Sequence, residues 1–188
     1  DPESPADSLT VTAESSQSLI VSNANIFLGG SGSNRTVTIL PNTNAWGWDP
    51  ITITLRVSDP EGNSTVTSFP LTVVFVNDPP MMSPIADQVI PEDAVFGPVL
   101  FTAFDVDFSR ITFTNVSSDP TLVPAANVVI SSGLGFDHFL TVTPASNQFG
   151  AATITTTVTD EHGTSATNSF VLTVLAVNDA PVSQDQAV

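Results

Sequence analysis

A chain of 188 residues with 41% hydrophobic content has a folded rather than a disordered composition, and it is long enough for two domains. Its 19 Asp and Glu stand against three Arg (Arg35, Arg56, Arg110) and no Lys, a formal charge of −16 that repels nucleic acid and anionic lipid and attracts cations. Cysteine is absent, which excludes disulfides and thiolate metal sites, and within the sequence there is neither an apolar run of about 18 residues nor a basic-then-apolar leader.

Taken from the amino terminus, the periodicity is that of strands. Leu9, Val11 and Ala13 alternate with Thr10 and Thr12. Val37 and Ile39 mark a further strand beyond the turn signal Gly29-Gly30-Ser31-Gly32. Ile51, Ile53, Leu55 and Val57 alternate with Thr52, Thr54, Arg56 and Ser58, a period of two with the apolar residues on one face. The turn signal Asp59-Pro60-Glu61-Gly62-Asn63 follows, and then Phe69, Leu71, Val73 and Phe75. No segment sustains a helical period.

The second half repeats the first. Val76-Asn77-Asp78-Pro79-Pro80 returns as Val177-Asn178-Asp179-Ala180-Pro181, a period of 101 residues. Val57-Ser58-Asp59 matches Val158-Thr159-Asp160, Gly62 matches Gly163, and Leu71-Thr72-Val73 matches Leu172-Thr173-Val174. Ile111 and Phe113, Leu140 and Val142, Ala152 to Val158, and Phe170 to Ala176 supply the strands of the second copy. Residues 1–9 align with 105–111, so the first copy has no equivalent of residues 80–104. The boundaries expected are 1–78 for an incomplete first repeat, 79–179 for a second, and 180–188 for the start of a third or a donor-strand tail. About seven short strands in 100 residues, with Thr and Val on the strands and Gly, Pro, Asn and Asp at the turns, predict an all-β fold: two tandem antiparallel Greek-key sandwiches, the first lacking its N-terminal strand.

Val-Asn-Asp-x-Pro at a module's end resembles the linker of cadherin repeats, and more closely that of the bacterial cadherin-like (Ig-like) tandem repeats of large extracellular proteins. Pro91-Glu92-Asp93 with Gly97-Pro98, then Asp105-Val106-Asp107, then Val158-Thr159-Asp160, follow in that family's order. The resemblance implies calcium at the junctions, extracellular or cell-surface placement, and a spacer or stalk role with neighbouring repeats of the same or an identical chain as partners. Carried over, it assigns Asn77, Asp78, Asp105, Asp107 and Asp160 to a central site. Glu92, Asn178 and Asp179 would form part of a distal one, and Asp1, Glu3 and Asp59 would face a preceding one. The family's mid-module Asp-x-Glu is replaced by Asn147-Gln148, which removes carboxylates; Asp49, in an insertion of the first copy, would restore one oxygen. Calcium suits such oxygen-rich sets. Asp78, Asp105 and Asp160 read equally as turn formers bonded to their own backbone.

No catalytic constellation is visible. His138 and His162 both sit in turn-like surroundings, and no Ser-His-Asp order or HExxH motif occurs, so the chain reads as a non-enzyme. Trp46 and Trp48 flank Gly47. They read either as a stacking platform for glycans or, since Trp46 aligns with Phe149, as core and cap. Glycosylation sequons stand at Asn34, Asn63 and Asn115. The absent strand reads as the mark of a fragment cut from a longer array or, if residue 1 is a true terminus, as an unpaired docking slot that a tail from another molecule would fill to give a head-to-tail filament.

Overall fold

The computed structural model describes residues 4–178 and residue 180. Apart from three single 3-10 turns, its regular structure is β, in two compact units, Asp1–Val76 and Asn77–Val188.

The first unit contains β1 (Thr10–Ser15), β2 (Ile26–Ser31), β3 (Asn34–Ile39), β4 (Ile51–Ser58) and β5 (Ser64–Leu71). β1, β4 and β5 form one antiparallel sheet, with β4 central, and β2 pairs with β3 in another. The alternation expected for β4 is present, with Ile51 and Ile53 buried and Thr52 exposed. Together with Ile20, Val21 and Ile26 they form a small core, onto which Val37, Leu55, Phe69 and Leu71 pack only partly buried.

The second unit comprises β6 (Met81–Met82), β7 (Gln88–Pro91), β8 (Phe96–Phe104), β9 (Thr112–Ser117), β10 (Val128–Ser132), β11 (Asp137–Val142), β12 (Gly150–Thr159) and β13 (Ser165–Leu175). One sheet runs β10-β11-β8-β6 and the other β7-β13-β12-β9. Inward residues of both sheets, among them Phe96, Phe101, Leu140, Ile154, Phe170 and Leu172, close one core.

Two details depart from the expected antiparallel seven-strand pattern. The leading strand is split: β6 pairs antiparallel with β8, while β7 pairs parallel with β13 in the other sheet. The stretch between them contains Pro84, which cannot donate to a ladder, and Ile85, which is buried in the core. A segment that changes sheets without reversing direction lies antiparallel to one neighbour and parallel to the other. The second departure is His138. It is no turn residue but an inward position of β11, 8% exposed, with its ring 5.6 Å from Phe101 and 4.8 Å from Phe113. Its proximity to Gly133 and Gly135 suggested a loop, whereas the period of two it shares with Leu140 and Val142 sets its direction.

Strand by strand, β1 to β5 correspond to β9 to β13. Among the described residues the first unit has no counterpart of β6, β7 or β8, as the repeat alignment requires.

Candidate functional site

The acidic residues singled out by the repeat meet in the second unit, where three turns carry them. The turn after β12 is closed by Asp160: its N–H donates to the Thr164 carbonyl at 3.0 Å, and its Oδ1 accepts from the N–H groups of His162 (2.9 Å) and Thr164 (2.8 Å). Asp160 Oδ2 accepts from the Thr164 hydroxyl and from the Asn77 side-chain amide, the latter at 2.8 Å. Burial would push the Asp160 carboxyl upward; the Thr164 hydroxyl, the Asn77 amide and the two N–H donors outweigh it and hold it down at about 2.

Asp105 and Asp107 lie in the loop after β8. Asp105 is 3% exposed, and its Oδ1 accepts from the Asp107 N–H at 2.7 Å. Asp107 Oδ2 in turn accepts from the Asp78 N–H at 2.7 Å. The loop closes through the Phe108 N–H on the Asp105 carbonyl, and Phe108 has φ 59°, a left-handed conformation unfavourable for a bulky side chain. Hydrogen bonds therefore tie Asp105 to Asp107 and Asp107 to Asp78; the neighbouring Asn77 continues the series to Asp160 and Thr164.

Within this network two buried oxygens have no hydrogen-bond partner, Asn77 Oδ1 and Asp105 Oδ2. Both can only accept, so each calls for a donor or a cation. No three carboxylate or imidazole groups converge as a metal centre among the described residues. Asp160 has two donors on each carboxylate oxygen and acts as turn former and anchor for Asn77.

The remaining candidates are separate. Glu92 Oε1 accepts from the Val177 N–H, and the Glu92 N–H donates to the Leu175 carbonyl at 2.8 Å, so the Pro-Glu motif grips the end of β13. Asn178 is exposed, and Asp179, like Asp1 and Glu3, lies outside the described residues. In the first unit, Asp59 repeats the Asp160 turn. Both its oxygens accept from Asn63, at 2.8 Å each, and chiefly the Asn63 side chain lowers its carboxyl below the usual range. Asp49 is exposed there.

Trp48 is 86% exposed and meets Trp46 edge-on at 5.2 Å; Trp46 also meets Phe75 at 5.1 Å. The alignment of Trp46 with Phe149 does not mark a core slot, because Phe149 is 65% exposed. Of the sequons, Asn115 is engaged inside its sandwich, donating to the Val128 carbonyl and accepting from the Thr156 hydroxyl, whereas Asn34 is exposed.

The geometry meets its family at this point, for the model of the bacterial Ig domain matches residues 77–173, just over half of the chain. The chain belongs to the bacterial Ig domain family. No curated protein sequence matches it. Among solved structures, this bacterial Ig chain is similar to protocadherin gammaB7 EC3-6 at 19% identity and a TM-score of 0.51, covering 90% of this chain and 41% of that one. It is also similar to titin domains Z1Z2 in a complex with telethonin, at 14% identity and a TM-score of 0.47, covering 90% and 83%. The protocadherin likeness is one of fold, an Ig-like β-sandwich in tandem. No helix among the described residues is long and apolar enough to cross a membrane.

Proposed function

We propose that these bacterial Ig repeats are cadherin-like spacer modules of a large extracellular surface protein, non-enzymatic, with the linker residues braced by calcium. The observation that carries the reading is the pair of buried, donorless oxygens, Asn77 Oδ1 and Asp105 Oδ2, beside the carboxylates of Asp78 and Asp107 in sequence and in the hydrogen-bond series. The donor set is all oxygen and includes carboxylates, the chemistry that suits calcium.

Asn77, Asp78, Asp105 and Asp107 would hold the ion. Asp160 would keep Asn77 in place through its side-chain amide. When bound, calcium would supply positive charge to these carboxylates. The protein's own part is to pin the linker to the Asp105–Asp107 loop through the Asp78 N–H and to the β12–β13 turn through Asn77. Glu92, with Asn178 and Asp179, would form part of an equivalent site at the other end of the module.

The test is thermal unfolding in about 2 mM calcium and again in excess chelator, a range that straddles extracellular affinities of about 10⁻⁴ to 10⁻³ M. A melting temperature that rises with calcium, and no longer rises in Asp105→Ala, supports the reading. Identical curves for the unaltered chain refute it.

The exposure of Trp48, edge-on to Trp46, favours a second reading in which this pair stacks on glycans. Glycan-array signal abolished by Trp48→Ala would support it, and a blank array would reject it.

A further inference from the structure

Donor and acceptor chemistry decides which way the Asn77 amide faces. Its nitrogen donates to Asp160 Oδ2 at 2.8 Å and to the Thr164 hydroxyl oxygen at 2.9 Å. A carboxylate oxygen only accepts, so turning the amide over would set Asn77 Oδ1 against Asp160 Oδ2 with no proton between them. The Thr164 hydroxyl has one proton, and Asp160 Oδ2 receives it. Lone pairs of the Thr164 oxygen are therefore what accepts the Asn77 amide. With its nitrogen engaged on this side, Asn77 presents Oδ1 on the other, where that oxygen is buried and has no donor.

Thr164 is held in place without help from Asn77. Its N–H donates to Asp160 Oδ1 at 2.8 Å, and its carbonyl accepts from the Asp160 N–H at 3.0 Å. The Asp59 turn of the first unit has the same backbone closure and a different side chain. There Asn63 stands four residues after the aspartate, as Thr164 does after Asp160, and its amide nitrogen donates to Asp59 Oδ2 at 2.8 Å. Both side chains cap their aspartate, but an amide NH2 has no lone pair with which to receive a second amide. A hydroxyl oxygen caps the carboxylate through its proton and accepts from Asn77 at the same atom.

We propose that Thr164 is a positioning residue of the linker site: its hydroxyl, bridging Asp160 and Asn77, sets the amide so that Asn77 Oδ1 is offered to the ion. This role rests on the calcium reading of the site, whereas the orientation itself is present without the ion. Thr164 touches no calcium; it acts through Asn77, as the hydrogen-bonding partners of metal ligands do. The Asp160 carboxylate supplies the charge that holds the amide, and the Thr164 hydroxyl supplies the second acceptor that fixes its direction.

Calcium titration of the full chain, read by NMR at the Asp78 and Asp107 N–H groups so that only this site is followed, tests it. Thr164→Val removes the hydroxyl, Thr164→Asn keeps a cap on Asp160 without the lone pair, and Thr164→Ser keeps both. All three should fold, because the Thr164 side chain is exposed and Asp160 keeps its backbone donors. Affinity should fall about tenfold in Thr164→Val and Thr164→Asn and return in Thr164→Ser. In chelator, the Asn77 side-chain amide protons, identified by their absence in Asn77→Ala, should shift upfield in the first two variants and stay in place in the third. A loss of turn stability alone would not move them in that pattern. The proposal is overturned if these protons are unmoved in Thr164→Val, or if Thr164→Ser restores neither them nor the affinity. Calcium bound equally well by Thr164→Val and the unaltered chain refutes the role of Thr164 and leaves the calcium site standing. An unaltered chain that binds no calcium refutes the site and this role together.

Discussion

The side-chain amide of Asn77 donates to Oδ2 of Asp160 at 2.8 Å across 83 residues of sequence, and the same amide donates to the Thr164 hydroxyl at 2.9 Å. The linker is thereby fastened to the β12–β13 turn of the module that follows it. Asn77→Ala removes both bonds and should lower the unfolding free energy of the second unit by about 1–2 kcal/mol, read as a lower urea midpoint at unchanged slope.

Acid should weaken this fastening. The Asp160 carboxyl is lowered from its ordinary 3.8 to about 2, so the folded state holds its proton more weakly than the unfolded one. The stability it contributes is complete above pH ~4 and is lost as the pH falls through about 2. Asp119, lowered chiefly by the Thr121 hydroxyl, and Asp59 act in the same direction. Melts between pH 5 and pH 2 should fall steeply for the unaltered chain. They should fall less for Asp160→Asn, which starts from a lower melting temperature.

Asp105 should respond oppositely in two media. Its Oδ2 is buried without a partner, so Asp105→Asn, which replaces an unneutralised charge by an amide, should melt no lower than the unaltered chain in chelator. In calcium the order should reverse, because the variant loses a charged ligand. A variant that melts lower in both media would show that the carboxylate serves only the turn that it closes with the Asp107 N–H.

Core truncation should separate the two units. Leu140 and Ile154 are fully buried in the larger core, and either one changed to Ala should cost about 2–5 kcal/mol by denaturant titration. Ile53→Ala removes a fully buried residue from the small core and should melt the first unit outright, visible as loss of the β1–β4 amide protection while β12 and β13 stay protected.

Two glycines should differ. Gly163 has φ 87° with open space around it, so Gly163→Ala meets only backbone strain of about 1 kcal/mol. At Gly97, φ 106° combines with the collision on Leu140, and Gly97→Ala should cost clearly more, compared by thermal melts of the two variants.

The strand pattern and the two-fold repeat were both legible in the chain. They follow from a period of two and a period of 101, which are local or self-referential properties. The sharing of Asp160 between a turn and Asn77 was half legible: its spacing to Gly163 and Thr164 announces the turn and the resemblance groups it with Asn77, but that the Asn77 amide bonds the carboxylate directly is a matter of tertiary approach. The same holds for His138, whose neighbours in sequence are turn glycines and whose neighbours in space are Phe101 and Phe113.

What this sequence determined by itself is the inventory: acidic, cysteine-free, Thr- and Val-rich strands in a tandem array. Only the folded arrangement decided that β7 runs parallel to β13, that Phe149 stays outside, and that two buried oxygens lack donors while Asp160 has all of its own. Alternation chooses a face for each side chain, but which strand lies beside which edge, and which oxygen is left without a donor, depends on contacts between residues far apart in the chain.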